Sequence, residues 1–304
     1  MSASVGGAPS NPARVPKGDW LAVLKRAFGE FMRDDCMGLS QEVAFSAMLA
    51  FFPAVAFLLG FLGLVHLYDR VQVFLATILP HGAIHFIEGL QKDSQGSASV
   101  IAFVAGFFGA VWAASGAMGS VVKAVNRAYG KVETRPFWRV RLISILLVVL
   151  SGLVTAGMFL LVVVGGPLGT AIARRAHLGG AFTWVWDLLR WPAAFVVVLL
   201  LFALIYYLAP NEEQRSWKWI SPGSLVGGVM WLALSGLFAL YVTFAGTYSK
   251  TYGSIAAGVI LMLWLNYTAW AILFGAELNS ELDRQTDIRA AGGEHAGLTK
   301  LARR

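Results

Sequence analysis

Six long apolar runs dominate this chain, and most of its polar residues lie between them. A helix that crosses the hydrocarbon layer of a membrane needs about 20 largely apolar residues. The runs are continuous and do not alternate with polar residues, which disfavours membrane-spanning strands. The pattern therefore predicts an all-α integral membrane protein, a bundle of six transmembrane helices. The predicted spans are roughly 42–67, 98–122, 142–166, 188–209, 222–246 and 253–281.

The first two runs have features that bear on packing. Pro53 lies inside the first run, where it frees a backbone carbonyl and predicts a helix kink. The second run is rich in Gly, Ala and Ser between 102 and 120, so it carries little side-chain bulk. Small residues let helices approach closely in lipid, which favours a central packing helix. A passage lined by this helix is the alternative interpretation.

Two segments outside the spans have amphipathic patterns. Residues 19–33 place apolar side chains on one helical face and basic ones around the other, which indicates an interfacial helix on the membrane surface. A helix packed on the loops is the alternative. Residues 68–97 predict two further short amphipathic helices, interrupted by Pro80. The apolar face of the first segment consists of Trp20, Leu24, Ala27, Phe28 and Phe31.

The basic residues predict the orientation of the bundle. The segments before the first span, after the second, after the fourth and after the last hold eighteen of the 24 Lys and Arg residues. Since cytoplasmic loops carry the excess of Lys and Arg, both termini are expected in the cytoplasm, an N-in/C-in topology. The net charge of +7 reflects this bias toward anionic lipid and does not indicate nucleic-acid binding.

Composition agrees with a membrane domain flanked by short polar ends. The chain is 57% hydrophobic and only 13% charged, and soluble domains carry about 25% charged residues. We expect a disordered cytoplasmic N-terminus at 1–18, a six-span domain at 19–282 and a cytoplasmic tail at 283–304. The N-terminus lacks the apolar core of a signal peptide. The one cysteine, Cys36, excludes an internal disulfide.

Three polar residues in or near the spans are candidates for function. Glu277 lies near the cytoplasmic end of the last span, and charge at membrane depth is costly. The alternative is that Glu277 pairs with a basic residue of the loop 123–141; Glu42, at the mouth of the first span, is interpreted in the same two ways. Asn266 lies near the middle of the last span, where its amide bonds either a neighbouring helix or a substrate.

A second polar group lies in the loop after the second span. These residues are expected to form a cytoplasmic cluster that binds a lipid phosphate, or else to anchor the loop by positive charge. Its members are Asn126, Arg127, Glu133 and Arg135.

His81 and His85 are four residues apart and share a helical face, which makes them a weak metal candidate. No phosphate-binding loop, catalytic triad signature or cysteine cluster is present in the sequence, so neither a cofactor nor an enzymatic activity is predicted.

Four segments together resemble the YihY/BrkB family of bacterial inner-membrane proteins. They occur in the family's order and extend over nearly all of residues 40–285. The resemblance implies six-span envelope proteins with transport or export roles and links to virulence and serum resistance. Members have also been labelled ribonuclease BN, a label regarded as mistaken. The segments are AFSAMLAFFPAVAF at 44–57, SGAMGSVVKAVNRAYGKVETRPFWRVRL at 115–142, YYLAPNEEQRSWKWISPGSLVGGVMW at 206–231 and TYSKTYGSIAAGVILMLWLNYTAWAILFGAELNSEL at 247–282.

Two functional hypotheses follow. The first is a transporter or export facilitator for a lipid or another amphiphilic envelope compound, because such a molecule needs an apolar groove with a polar track for its headgroup. Membrane lipids are then the expected partners, and homo-oligomer formation is expected because six spans are few for a self-contained alternating-access transporter. The second is an envelope scaffold or assembly factor that does not transport.

Overall fold

The computed structural model describes residues 20–64, 97–177, 179–211, 221–244 and 248–290. These ranges contain no strand, and six of their helices are long and apolar enough to cross a membrane. The predicted all-α bundle of six spanning helices is therefore confirmed. The helices are α1 (Trp20–Arg33), α2 (Cys36–Leu64), α3 (Ser97–Ala128), α4 (Phe137–Phe159), α5 (Gly165–Arg175), α6 (Gly180–Leu208), α7 (Pro222–Phe244) and α8 (Tyr248–Ala290).

Several helices extend beyond the apolar runs. α2 begins at Cys36 instead of 42, and α8 continues to Ala290, so the first residues of the expected tail at 283–304 are helical. A π-helical turn, Leu160–Val164, joins α4 to α5. α5 contains Gly and Pro residues and lies largely between the predicted spans 142–166 and 188–209, where no helix was predicted. Apolar length marks the part of a helix in lipid, and backbone hydrogen bonding carries the helix on into polar sequence. The disordered segment 1–18 and the helices expected in 68–97 lie outside the described residues.

The buried core lies toward one end of the bundle. At this end α2, α4 and α7 begin and α3 and α6 finish; we call it the charged end, since the ion pairs of the loops flank it. The buried core includes Cys36, Val122, Val125, Leu273 and Leu278. Farther along the spans, large apolar side chains are exposed, as expected for contact with lipid. Examples are Phe52, Phe108, Trp112 and Leu153.

Small residues bring α3 close to α2, which confirms the packing role predicted for the second span. A Cβ atom added at Gly106 would lie 2.8 Å from the backbone nitrogen of Phe57, so only glycine fits there. Gly109 lies against Pro53, and the Ser46 and Ser120 hydroxyls share a hydrogen bond of 3.1 Å. α2 continues through Pro53, and the kink expected there stays a prediction.

α1 packs on the charged end of α8. Val23, Ala27 and Phe31 are buried, and the first two contact Leu278 and Leu282. This face differs from the predicted one, because Phe28 is 54% exposed. The covered surface is a spanning helix instead of a loop, so α1 is part of the protein core as well as amphipathic. Exposed Leu21, Phe28 and Met32 form a second apolar stripe on α1.

Candidate functional site

Glu277 is buried beside a thiol instead of a basic residue. Its side chain is 2% exposed, and its Oε1 accepts a hydrogen bond of 3.4 Å from the Sγ of Cys36. Among the described residues no Lys or Arg forms an ion pair with Glu277, so the expected pairing with the loop 123–141 is wrong. The reason is that α2 starts at Cys36, and its first turn fills the space next to this part of α8.

The neighbouring carboxylates are paired, in contrast to Glu277. Glu42 accepts two hydrogen bonds, of 2.8 and 3.0 Å, from the ammonium of Lys123, so its expected pairing with the basic loop is confirmed. Glu281, one turn after Glu277, pairs with Arg284 and lies 3.6 Å from Arg26. Glu42 and Glu281 thus each have a cationic partner, whereas the hydrogen-bond partner of the buried Glu277 is the neutral thiol of Cys36.

Asn126 organises the loop between α3 and α4. Its Nδ2 donates to Oε2 of Glu133 at 2.8 Å, and its Oδ1 accepts from the backbone N–H of Asn211 at 2.7 Å. The Asn211 amide then donates to the carbonyl of Val132 and to the hydroxyl of Thr134. These bonds tie the loop to the end of α6, and they occupy the groups that the sequence offered as a phosphate-binding cluster.

The two arginines of the expected cluster are neutralised separately. Arg135, 9% exposed in its side chain, pairs with Glu133 and donates from Nη2 to the carbonyl of Ala209. Its hydrogen bond holds the pKa of Glu133 below the usual range for a glutamate. Arg127 points away from this group and forms an ion pair of 3.2 Å with Asp34. The structure therefore brings Asn126, Glu133 and Arg135 together but does not bring Arg127 to them.

A buried amide that the sequence analysis missed caps α7. Asn279 of α8 accepts a hydrogen bond of 2.9 Å from the backbone N–H of Gly223 and donates one of 2.9 Å to the Ser221 hydroxyl. Pro222 at the first helical position and Ser221 before it form a common helix start, which was a usable signal. The helices approach closely here because Gly223 and Gly227 have no side chain: a Cβ on Gly223 would overlap the Gly275 carbonyl, and one on Gly227 would lie 2.9 Å from the Ala271 carbonyl oxygen.

The side-chain oxygen of Asn266 forms no hydrogen bond to a neighbouring helix among the described residues. Its Oδ1 is buried and has no hydrogen-bond partner among the described residues. The Nε1 of Trp270, four residues later and hence on the same face of α8, is also buried without a partner within the described ranges. A buried polar group without a partner costs about 1–3 kcal/mol, so such groups in native proteins call for an explanation.

Arg141, which sequence analysis assigned to a loop, lies inside α4 and reaches α3. Its Nη2 donates to the backbone carbonyl of Trp112 at 2.9 Å, and its guanidinium carbon lies 4.0 Å from the centre of the Trp112 ring. Its Nε is buried and has no partner among the described residues, and the same holds for the hydroxyl of Ser151 farther along α4. The signal was available, because Arg141 directly precedes the long apolar run of α4.

We call the buried atoms of α4 and α8 that have no hydrogen-bond partner among the described residues the open polar set. It consists of Arg141 Nε, Ser151 Oγ, Asn266 Oδ1 and Trp270 Nε1. The part of the chain that the structure describes holds no group of three or more metal-ligating side chains. His81 and His85 lie outside that part.

Comparison with known proteins places these features in a family. The model of the family described as virulence factor BrkB matches residues 27–298. A putative ribonuclease-like protein, YfkH, of Bacillus subtilis is 29% identical over 88% of this chain and 98% of its own length. A UPF0761 membrane protein of Aromatoleum aromaticum is 25% identical over 88% of this chain, and one of Stenotrophomonas maltophilia is 24% identical over 89%. The matches span 66% and 64% of these two longer relatives. No solved structure gives a significant match.

Proposed function

The chain belongs to the BrkB family of multi-pass membrane proteins, and from this premise we propose that it is an export facilitator for a lipid or another amphiphilic envelope compound. The proposed location is the bacterial inner membrane, with the charged end of the bundle and both termini in the cytoplasm. Seventeen of the 24 basic residues lie in segments assigned to that side when Arg141, which lies within α4, is left out, and this excess supports the orientation. The proposed role is not enzymatic.

The observation that carries the proposal is the pair of unpartnered polar atoms on α8. Asn266 Oδ1 and Trp270 Nε1 are buried within a spanning helix. The hydrocarbon layer around that helix contains no water that could form the missing hydrogen bonds. One is an acceptor and the other a donor, and they lie one helical turn apart. A polar headgroup that offers a hydroxyl and an oxygen would satisfy both during passage, while acyl chains remain in contact with the exposed apolar faces of the spans.

The scaffold function is supported by a different observation. Leu21, Phe28 and Met32 of α1 are 64%, 54% and 48% exposed, although the opposite face of that helix is packed on α8. An exposed apolar stripe of this kind can bind either a membrane surface or a partner protein. It requires no polar track through the spans.

Reconstituted lipid transfer separates the two functions. Purified protein is placed in vesicles that carry a fluorescent phospholipid, and movement of the label between leaflets is followed by chemical quenching from outside. We expect the wild-type protein to accelerate this movement and Asn266→Leu to slow it at least about tenfold, since one lost hydrogen bond in the transition state is worth about 1.4 kcal/mol. Thr155→Val is the matched control, because Thr155 is an exposed polar residue of another spanning helix.

The outcomes are distinct. A wild-type protein that moves no lipid, or an Asn266→Leu variant as fast as Thr155→Val, would contradict the transport proposal. If, in cells, substitution of Leu21 and Phe28 by serine then removes function without changing the membrane level, the scaffold function is favoured.

A further inference from the structure

We propose that Arg141 and Trp112 form a binding site, within the membrane, for the phosphate of an anionic lipid headgroup. The inference deepens the proposed function by naming the chemical class of the amphiphile. It rests on the proposed function only for its membrane setting, since its test measures binding and not transport.

The first step is the geometry of the guanidinium. Arg141 stacks over the Trp112 ring at 4.0 Å and donates one hydrogen bond to the Trp112 carbonyl, which also accepts from the Ser115 hydroxyl. A Cβ atom added at Gly116 would lie 3.8 Å from Nη1, so the small residues of α3 leave room for the group. Two neighbours thus fix the plane of the guanidinium before any ligand arrives.

The second step is its depth. Trp112 precedes Lys123 by eleven residues on α3, which corresponds to ~16 Å along the helix axis. Lys123 is exposed at the charged end and pairs with Glu42 there. Trp112 lies within the candidate span Phe103–Ala128, so the guanidinium lies beside an apolar membrane-spanning run and not on the loop beyond it. Arginine inside a membrane is costly and is found where it pairs with another group or lines a pathway.

The third step is the missing counter-charge. No carboxylate of the described residues forms an ion pair with Arg141, whereas Arg127 and Arg135 each have one. A guanidinium has five N–H donors and remains charged at all physiological pH values. One Nη2 donor is used by the Trp112 carbonyl, and Nε has no partner in the part of the chain that the structure describes. The ring face compensates only part of the charge, because a cation–π contact is worth about 0.5–2 kcal/mol.

The fourth step is access. Trp112 is 68% exposed, Phe108 one turn away is 67% exposed, and Leu142 beside Arg141 is 58% exposed. These are apolar surfaces, so the group that reaches the guanidinium comes from the lipid phase. Two oxygens of one phosphate can accept parallel hydrogen bonds from the planar guanidinium of arginine. The ammonium of a lysine does not form this paired arrangement. An anionic phospholipid supplies that phosphate together with acyl chains that cover the exposed rings.

Native mass spectrometry of the whole protein in a mild detergent tests this inference. The protein is titrated with phosphatidylglycerol, with phosphatidylethanolamine of the same acyl chains, and with inorganic phosphate. We expect one phosphatidylglycerol to bind about tenfold or more tightly than phosphatidylethanolamine, because the ammonium of phosphatidylethanolamine offsets the charge of its own phosphate, whereas the phosphate of phosphatidylglycerol has no internal counter-charge. Inorganic phosphate is expected not to compete.

In Arg141→Gln, the ratio of the affinities for phosphatidylglycerol and phosphatidylethanolamine is expected to fall by at least about tenfold. Arg139→Gln is the matched control, because it removes the same charge two residues away on the same helix, where the Arg139 guanidinium lies over the exposed ring of Trp138. Arg139→Gln should bind as the wild type does. Arg141→Lys keeps the charge without the planar fork and should retain a weakened preference, which provides a result even if the glutamine variant fails to fold.

Three outcomes would overturn the inference. They are a wild-type protein without preference for phosphatidylglycerol, equal loss in Arg139→Gln and Arg141→Gln, which indicates general surface attraction, and displacement of the lipid by inorganic phosphate, which indicates a site for a free anion. If the lipid binds as expected but vesicles show no lipid movement, the site stands and only the transport proposal fails.

Discussion

Replacement of Asn279 by alanine should destabilise the contact between α7 and α8. Asn279 is 7% exposed and accepts from the Gly223 N–H and donates to the Ser221 hydroxyl, both at 2.9 Å. Alanine leaves the Gly223 N–H, one of the free donors at the start of α7, buried without an acceptor.

The magnitude follows from two contributions. Loss of a helix cap costs about 0.5–2 kcal/mol, and a buried donor left without a partner costs about 1–3 kcal/mol. The two overlap, because the same N–H is counted in both, so we expect a loss of about 2–3 kcal/mol in the free energy of unfolding. Ser221 retains its exchange of hydrogen bonds with Ser224, which keeps the loss below the sum.

The assay is reversible unfolding in mixed detergent micelles, followed by helicity and by tryptophan fluorescence. Ser280→Ala is the control, since this neighbouring residue is only partly buried, and it should change the free energy of unfolding by less than about 0.5 kcal/mol. If Asn279→Ala costs no more than Ser280→Ala, the cap does not hold α7 to α8 and the reasoning is refuted.

Three further predictions concern the charged end. Gly275→Ala should lower stability by about 1–3 kcal/mol in the same assay, because its Cβ would lie 2.5 Å from the Gly223 carbonyl; an unchanged value would contradict the close approach. Since the pKa of Glu133 is lowered by Arg135, its stabilising contribution is complete above the unfolded pKa of about 4.3 and is lost as the pH falls through the lower folded value. The melting temperature of Glu133→Gln should therefore fall less than that of the wild type below about pH 4, and parallel curves would refute this. Glu277→Gln keeps an acceptor for the Cys36 thiol and removes a carboxyl group that has no ion-pair partner among the described residues. The melting temperature of this variant should therefore equal or exceed that of the wild type, and a clear decrease would indicate a charged partner.

The sequence predicted the number and class of helices because that information is local. Twenty apolar residues in a row have few alternatives to a spanning helix, and backbone groups in lipid must pair within it. The packing of Gly223 against α8 was also accessible, since a glycine spacing is visible in the sequence. The start of α2 at Cys36 was not predicted, because Ser40, Gln41 and Glu42 separate its first turn from the apolar run, and hydropathy does not detect a helix that continues across polar residues.

Partners of polar side chains could not be predicted, because they depend on which helices meet. Glu42 and Glu277 looked alike in the sequence, each near the end of a span, yet one pairs with Lys123 and the other lies against Cys36. Arg141 was counted among loop cations because it stands one residue before an apolar run. Its direction along α4, toward Trp112, is a tertiary property that no spacing rule contains.

The polar groups of this bundle fall into two kinds, and the difference separates stability from function. At the charged end, the groups around Asn126 and Asn279 form networks whose partners come from the protein itself, except that Nη1 of Arg135 is buried without a partner among the described residues. We call these the closed networks, and they join α3 to α6 and α7 to α8. Within the spans, the open polar set has no such partners among the described residues. A protein that needed only stability would gain by replacing Asn266 and Arg141 with apolar residues, since each carries a cost in lipid. Substitutions at the closed networks should therefore reduce stability first, and apolar substitutions in the open polar set should leave stability unchanged or raise it while they remove ligand binding or transport.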